Sequence, residues 1–159
     1  MAGEPAPPSP HLILAFDFGT RRIGLAAGDT LTRTARGLST LDCGGRTPWP
    51  AIDKVCADLQ PSQLIVGLPL NMDGTPTALT AAARAFAAEL EARYRKPVAL
   101  VDERLSSREA EAELRDARAA GLKRGRTTHG DIDMIAARIL LERWFAGEAE
   151  ASTMRAHDS

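Results

Sequence analysis

Apolar residues along this chain fall into blocks with two different spacings. From Leu12 the run LILAFDF is apolar up to Asp17, IGLAAGD follows a turn through Gly19, and RTARGLSTL is a weaker third block. Short apolar blocks separated by turn residues predict strands, and three in close succession predict an antiparallel meander. After a break from Gly44 to Pro48, Trp49, Ile52, Val55, Cys56 and Leu59 recur at helical spacing and predict a first helix.

SQLIVGLPL predicts a fourth strand reaching Gly67, and the loop NMDGTP offers Thr75 as N-cap and Pro76 as first residue of a long helix. Leu79, Ala83, Phe86, Leu90 and Tyr94 form its apolar stripe, and Pro97 stops it before a fifth strand, PVALVDE. Ser106 and Glu109 have capping-box spacing and predict a helix running to Gly121. A basic, glycine-containing loop, LKRGRTTHG, leads into a final helix, DIDMIAARILLERWF, with Ile132, Ile135, Ile139 and Leu140 on its apolar face. This order predicts an α/β fold with a mixed sheet and helices on its faces.

Three carboxylates stand out against this pattern. Asp17 ends an apolar strand, Glu103 ends ALVDE, and Asp133 lies in the expected first turn of the last helix. Strand alternation puts Glu103 on the face of Ala99 and Val101, and Asp102 on the opposite face. Each acid also has a structural use: turn amides for Asp17, Arg104 or Arg108 for Glu103, the helix dipole for Asp133. Asp131 stands where an N-cap is expected and is read as one. Gathered together, three carboxylates repel unless protons or cations intervene, and an all-oxygen set suits Mg²⁺ or Mn²⁺ rather than zinc. Two such ions, about 3.5–4 Å apart in known sites, activate a water and stabilise a leaving oxygen at a phosphodiester.

Composition bounds this reading. The 159 residues make one domain with 44% hydrophobic residues and a formal net charge of −1, so any nucleic-acid contact must be local. Arg supplies 17 of the 20 basic residues, and its planar fork matches phosphate oxygens. Cys43 and Cys56 have no metal-ligand spacing and read as buried or idle thiols, with a reducing cytoplasm as the default setting. Residues 1–11 read as a proline-rich tail lacking signal-peptide character, residues 12–147 as the domain, and residues 148–159 as a second tail.

LILAFDFGTRRIGLAAGD, IVGLPLNMDGT, LVDERLSSREAE and DIDMIAARILL resemble, in order and spacing, the four successive motifs of the YqgF family. That family comprises Holliday junction resolvases and nucleases maturing the 5′ end of pre-16S ribosomal RNA. The resemblance implies an RNase H-like fold, in which parallel strands extend the antiparallel meander. Carried over by motif, it places a metal-binding catalytic triad on Asp17, Glu103 and Asp133. It also implies Mg²⁺- or Mn²⁺-dependent hydrolysis leaving 5′-phosphate and 3′-hydroxyl ends. The departures are the proline-rich leader and LAAGD, where the family more often has valine and serine before the aspartate.

Positive charge for a nucleic-acid backbone is available at Arg21 and Arg22 after DFGT, at Arg104 and Arg108 after Glu103, and at Lys123, Arg124, Arg126 and His129 before the last helix. Two other classes remain open on sequence grounds. One is a protein that holds junctions or RNA without cutting. The other is an ATPase, because DFGT also resembles the phosphate turn of sugar kinases and actin, but that plan needs a second lobe for which 159 residues leave no room. Cutting a four-way junction symmetrically implies a dimer, whereas trimming one RNA end does not.

Overall fold

The computed structural model describes residues 9–103, 112, 113, 115, 116, 119 and 129–147. Five strands form one sheet in the order β3-β2-β1-β4-β5: β1 (Ser9–Asp17), β2 (Arg22–Asp29), β3 (Thr34–Asp42), β4 (Pro61–Leu68) and β5 (Val98–Asp102). The first three are the expected antiparallel meander, and β4 and β5 run parallel to β1. Three helices are described in full: α1 (Trp49–Leu59), α2 (Thr80–Tyr94) and α3 (His129–Ala146). Positions 112, 113, 115, 116 and 119 have helical backbone, within the span expected to be helical.

Alternation along the strands divides the interior in two. Leu14, Phe16, Leu64, Val66, Val98 and Leu100 meet α1 and α2 on one face, with Phe86 of α2 against Phe16, Phe18 and Trp49 at ring-centroid separations of 5.5, 4.9 and 5.7 Å. Ile13, Ala15, Ile65, Ala99 and Val101 meet Ala137, Leu140, Leu141, Trp144 and Phe145 of α3 on the other. Asp17 and Glu103 continue the second set in parity, so both fall on the α3 face as strand alternation requires.

Several boundaries differ from the sequence expectation. β1 begins at Ser9, ahead of Leu12, because Ser9 pairs with Pro61 and the Ser62 hydroxyl donates to the Pro10 carbonyl. α2 begins at Thr80 and not at Pro76. Thr75 does not cap it: its amide and hydroxyl donate to Asp73, while Pro76 bridges back to Leu70. The turn ahead of α2 is instead closed by Thr77 and Thr80, the Leu79 amide donating to Thr77 Oγ1 and the Thr77 amide to Thr80 Oγ1.

α3 begins at His129, two residues before the expected cap, so Asp131 lies inside the first turn, where an acid still favours the helix dipole. Ile132 and Ile135 are only half-buried, and the burial falls on Ala137, Ile139, Leu140, Leu141, Trp144 and Phe145. The Asp131 side chain, residues 1–8 and 148–159, the Ser106–Glu109 capping box, and Arg104, Arg108, Lys123, Arg124 and Arg126 lie outside the described residues.

Candidate active site

Asp17 is the last residue of β1, at the carboxyl end of the parallel strands, where open α/β sheets bind their ligands. Its cross-strand partner is Gly24 of β2. Paired residues project to the same side, so the missing side chain at Gly24 leaves space beside Asp17. α3 fills it: a Cβ built on Gly24 would stand 2.2 Å from the Asp133 carbonyl oxygen and 3.0 Å from the Asp133 Cβ. The close seat of α3 on β2 thus brings Asp133 up to the end of β1.

Glu103 follows the last residue of β5, its amide donating to the Leu68 carbonyl at 3.2 Å and extending the ladder by one bond. β4 lies between β5 and β1, so Glu103 must cross a strand to reach Asp17. It does so over Gly67, where an added Cβ would lie 2.5 Å from Glu103 Oε2. Its carboxyl thereby comes up against that of Asp17, and two acids so close are eased by a proton or a cation between them.

The electrostatics follow from that contact. Burial pushes the Asp17 carboxyl well above the usual carboxylate range, and the charges of Glu103 and then Asp133, with the hydrogen bond to Glu103, push it the same way. Glu103 is also raised by burial and by Asp102, but the hydrogen bond from Asp17 favours its ionised form. Both carboxyls of the pair are thus raised, Asp17 the more strongly.

Asp133 is held differently. Arg22, the first residue of β2 and two positions before Gly24 on the same face, donates from Nε to Asp133 Oδ2 at 2.8 Å. Among the described residues no three acidic, histidine or cysteine side chains stand in a ready-made ligand arrangement. The donor set is nevertheless that of a hard cation: carboxylate oxygens on one face, two whose mutual repulsion a divalent ion would relieve and a third already against a positive charge.

The structure thus brings together Asp17, Glu103, Asp133 and Arg22 from the sequence-derived set. Arg21 is exposed on the turn after β1. The sequence reading missed Gly24 and Gly67, the two glycines that let the acids meet. Their signal was a glycine on the site face of each strand flanking β1. It also left unused the spacing of Asp133 with Ala137, Leu141 and Phe145, which puts an acid on the buried stripe of α3. The loop after β4, with Asn71 donating to Thr75 Oγ1 and to the Pro76 carbonyl, is satisfied internally, in keeping with a connecting role. Cys43 and Cys56 are both buried free thiols.

Comparison with known proteins adds four findings. The sequence profile of the family described as "RuvX: Holliday junction resolvase" matches residues 11–147. A Xylella fastidiosa (strain M23) protein named "Putative pre-16S rRNA nuclease" is 44% identical over 153 residues, 95% of this chain and 98% of its own length. A Yersinia enterocolitica protein of the same name is 46% identical over 138 residues, covering 86% of this chain and 96% of its own. In three dimensions the chain resembles Thermus thermophilus RuvC, solved with a Holliday junction substrate, at a TM-score of 0.56 and 16% identity, over 91% of this chain and 98% of that one. The likeness fixes the fold as RNase H-like, with its mixed sheet and flanking helices.

Proposed function

Because the chain belongs to the RuvX family of Holliday junction resolvases, we propose that it is a metal-dependent endonuclease, and that it matures the 5′ end of a 16S ribosomal RNA precursor. The observation that carries this reading is the half-buried Asp17–Glu103 pair beside Asp133, at the carboxyl ends of parallel strands. A cluster of acids crowded together is costly to the fold, and it has a use where a divalent cation balances the charge. The names of the Xylella and Yersinia relatives support the RNA substrate.

Asp17, Glu103 and Asp133 would hold Mg²⁺ or Mn²⁺. A bound ion of this kind supplies an activated water and charge stabilisation at the scissile phosphate. The chain's own residues do the rest. β1 would present Asp17 to the ion, α3 would present Asp133, and Glu103 is brought across β4 over Gly67 toward the same centre. Arg21, Arg22, Arg104, Arg108, Lys123, Arg124 and Arg126 fix the nucleic-acid backbone by charge and geometry. The nuclease domain of this reading spans residues 12–147 together with the start of β1, and the protein works in the cytoplasm on ribosomal precursor particles, as a monomer or homodimer. No helix among the described residues is long and apolar enough to cross a membrane.

A second substrate, the four-way DNA junction, is favoured by the description of the family itself. The test is cleavage of a labelled 16S precursor RNA and a synthetic four-way junction by wild type, Asp17→Asn and Asp133→Asn, in Mg²⁺, Mn²⁺ or EDTA. Cutting that needs the metal and both carboxylates establishes the nuclease, and the substrate that is cut names its role. Binding without cutting in either metal would replace it with the non-cleaving binding protein.

A further inference from the structure

Arg22 is placed by register. It opens β2 on the α3 face, and Gly24, two residues on, sets the height at which Asp133 rides over that strand. The two side chains are therefore brought together by the same close approach that builds the acid cluster. They are 30% and 22% exposed, and Nε meets Oδ2 at 2.8 Å. Arg21, its neighbour, points to solvent. A guanidinium is always charged, and its donors match carboxylate oxygens. In this structure the third acid of the cluster already has a cation.

We propose that Arg22 is the resident counter-cation of the site, occupying the Asp133 oxygen that a divalent cation would take, so that the ion binds fully only as Arg22 withdraws. The inference rests on the metal-dependent reading above and adds to it a control on loading. Three acids with no cation would repel one another and loosen the seat of α3. With Arg22 on Asp133, one of the three acids has its charge balanced without metal and the repulsion within the cluster is eased. The cost is competition, because a positive charge next to the donor set opposes a second one. Arg22 is then a positioning residue for Asp133, and its guanidinium becomes available to a substrate phosphate once the ion is bound.

The experiment is Mn²⁺ binding to the full chain without nucleic acid, measured by calorimetry for wild type, Arg22→Gln, Arg22→Lys, Asp17→Asn, Asp133→Asn and the Arg22→Gln/Asp133→Asn double variant, with thermal melts to verify folding. Removing an adjacent unit charge in a partly exposed site should tighten Mn²⁺ about tenfold in Arg22→Gln. In the Asp133→Asn background the same change should have a smaller effect, because only the through-space repulsion between Arg22 and the ion is left. Arg22→Lys keeps the charge without the fork and should fall between the two. Mn²⁺ affinity that is unchanged or weaker in Arg22→Gln, while Asp17→Asn and Asp133→Asn weaken it, overturns the competition and leaves the metal site standing. Affinity indifferent to both Asp17→Asn and Asp133→Asn overturns the metal site and the role of Arg22 with it.

Discussion

The raised Asp17 carboxyl has a consequence for stability. A carboxyl whose folded-state pKa is raised binds its proton more tightly folded than unfolded. Its stabilising proton is present at low pH and is lost as pH rises from the ordinary aspartate value, about 3.9, through the raised one. Asp17→Asn keeps a hydrogen-bond donor toward Glu103 and removes the ionisation. In EDTA the variant should melt with wild type near pH 4 and progressively above it toward pH 8, where each kcal/mol corresponds to about 2–4 °C for a domain of this size. A melting difference that does not change with pH would rule out Asp17 as the proton carrier. Millimolar Mn²⁺ should raise the wild-type midpoint at pH 8 and leave Asp17→Asn nearly unmoved, since a ligand stabilises only the state that binds it. The thiols are a separate case. Burial pushes Cys56 up to about 11 and raises Cys43, so native protein at pH 7.5 should resist iodoacetamide while urea-unfolded protein reacts at both. Rapid native labelling would contradict the burial of these two side chains.

At the scale of elements, the site depends on how closely α3 lies on the sheet and on one strand being bare where Glu103 crosses it. Gly24→Ala places a methyl against the Asp133 backbone, which cannot yield without lifting the helix; overpacking of this kind costs about 1–3 kcal/mol and should abolish cleavage along with it. Gly67→Ala meets the end of a side chain, Glu103 Oε2, together with Leu140. It should cost less stability but still cut activity sharply, and it should remove the pH-dependent difference in Tm by separating the acid pair. On the other face, Phe86→Ala empties the centre of the aromatic group and should destabilise by about 3–5 kcal/mol without a specific effect on Mn²⁺ binding. Urea unfolding of the three variants, with metal titrations of the folded forms, tests this separation. The period of the strands made the face of Glu103 legible, because Ala99 and Val101 mark it. The start of α2 was not legible, since Thr75 and Pro76 have the chemistry of a helix start while Asp73 and Leu70 hold them in the loop. Nor was the partner of Arg22, because a side chain near a turn reads equally as a phosphate contact and as an internal ion pair.

At the scale of the whole molecule, the sheet carries Asp17 and Glu103 at one end, and the chain as a whole is nearly neutral, with a formal net charge of −1. Binding a polyanion to such a protein must depend on a local set of arginines and lysines, and its affinity must fall with salt in proportion to the phosphates they neutralise. The sequence places Lys123, Arg124 and Arg126 together just before the helix that delivers Asp133. Replacing all three with alanine should reduce the slope of log affinity against log salt by about 1 for each phosphate that is no longer neutralised. Folding, the Asp17-dependent pH effect and Mn²⁺ affinity should stay as in wild type, because none of these needs the basic loop. Arg22→Gln should do the reverse, changing Mn²⁺ affinity in the free protein while altering the metal-free salt slope little, because its guanidinium is then held by Asp133. Fluorescence anisotropy of a precursor RNA and of a four-way junction, measured in EDTA across a salt series, separates the two. A slope that drops as much in Arg22→Gln as per residue in the triple variant would mean that Arg22 already faces the backbone in metal-free protein, and that the ion pair with Asp133 gives way to phosphate before any metal arrives.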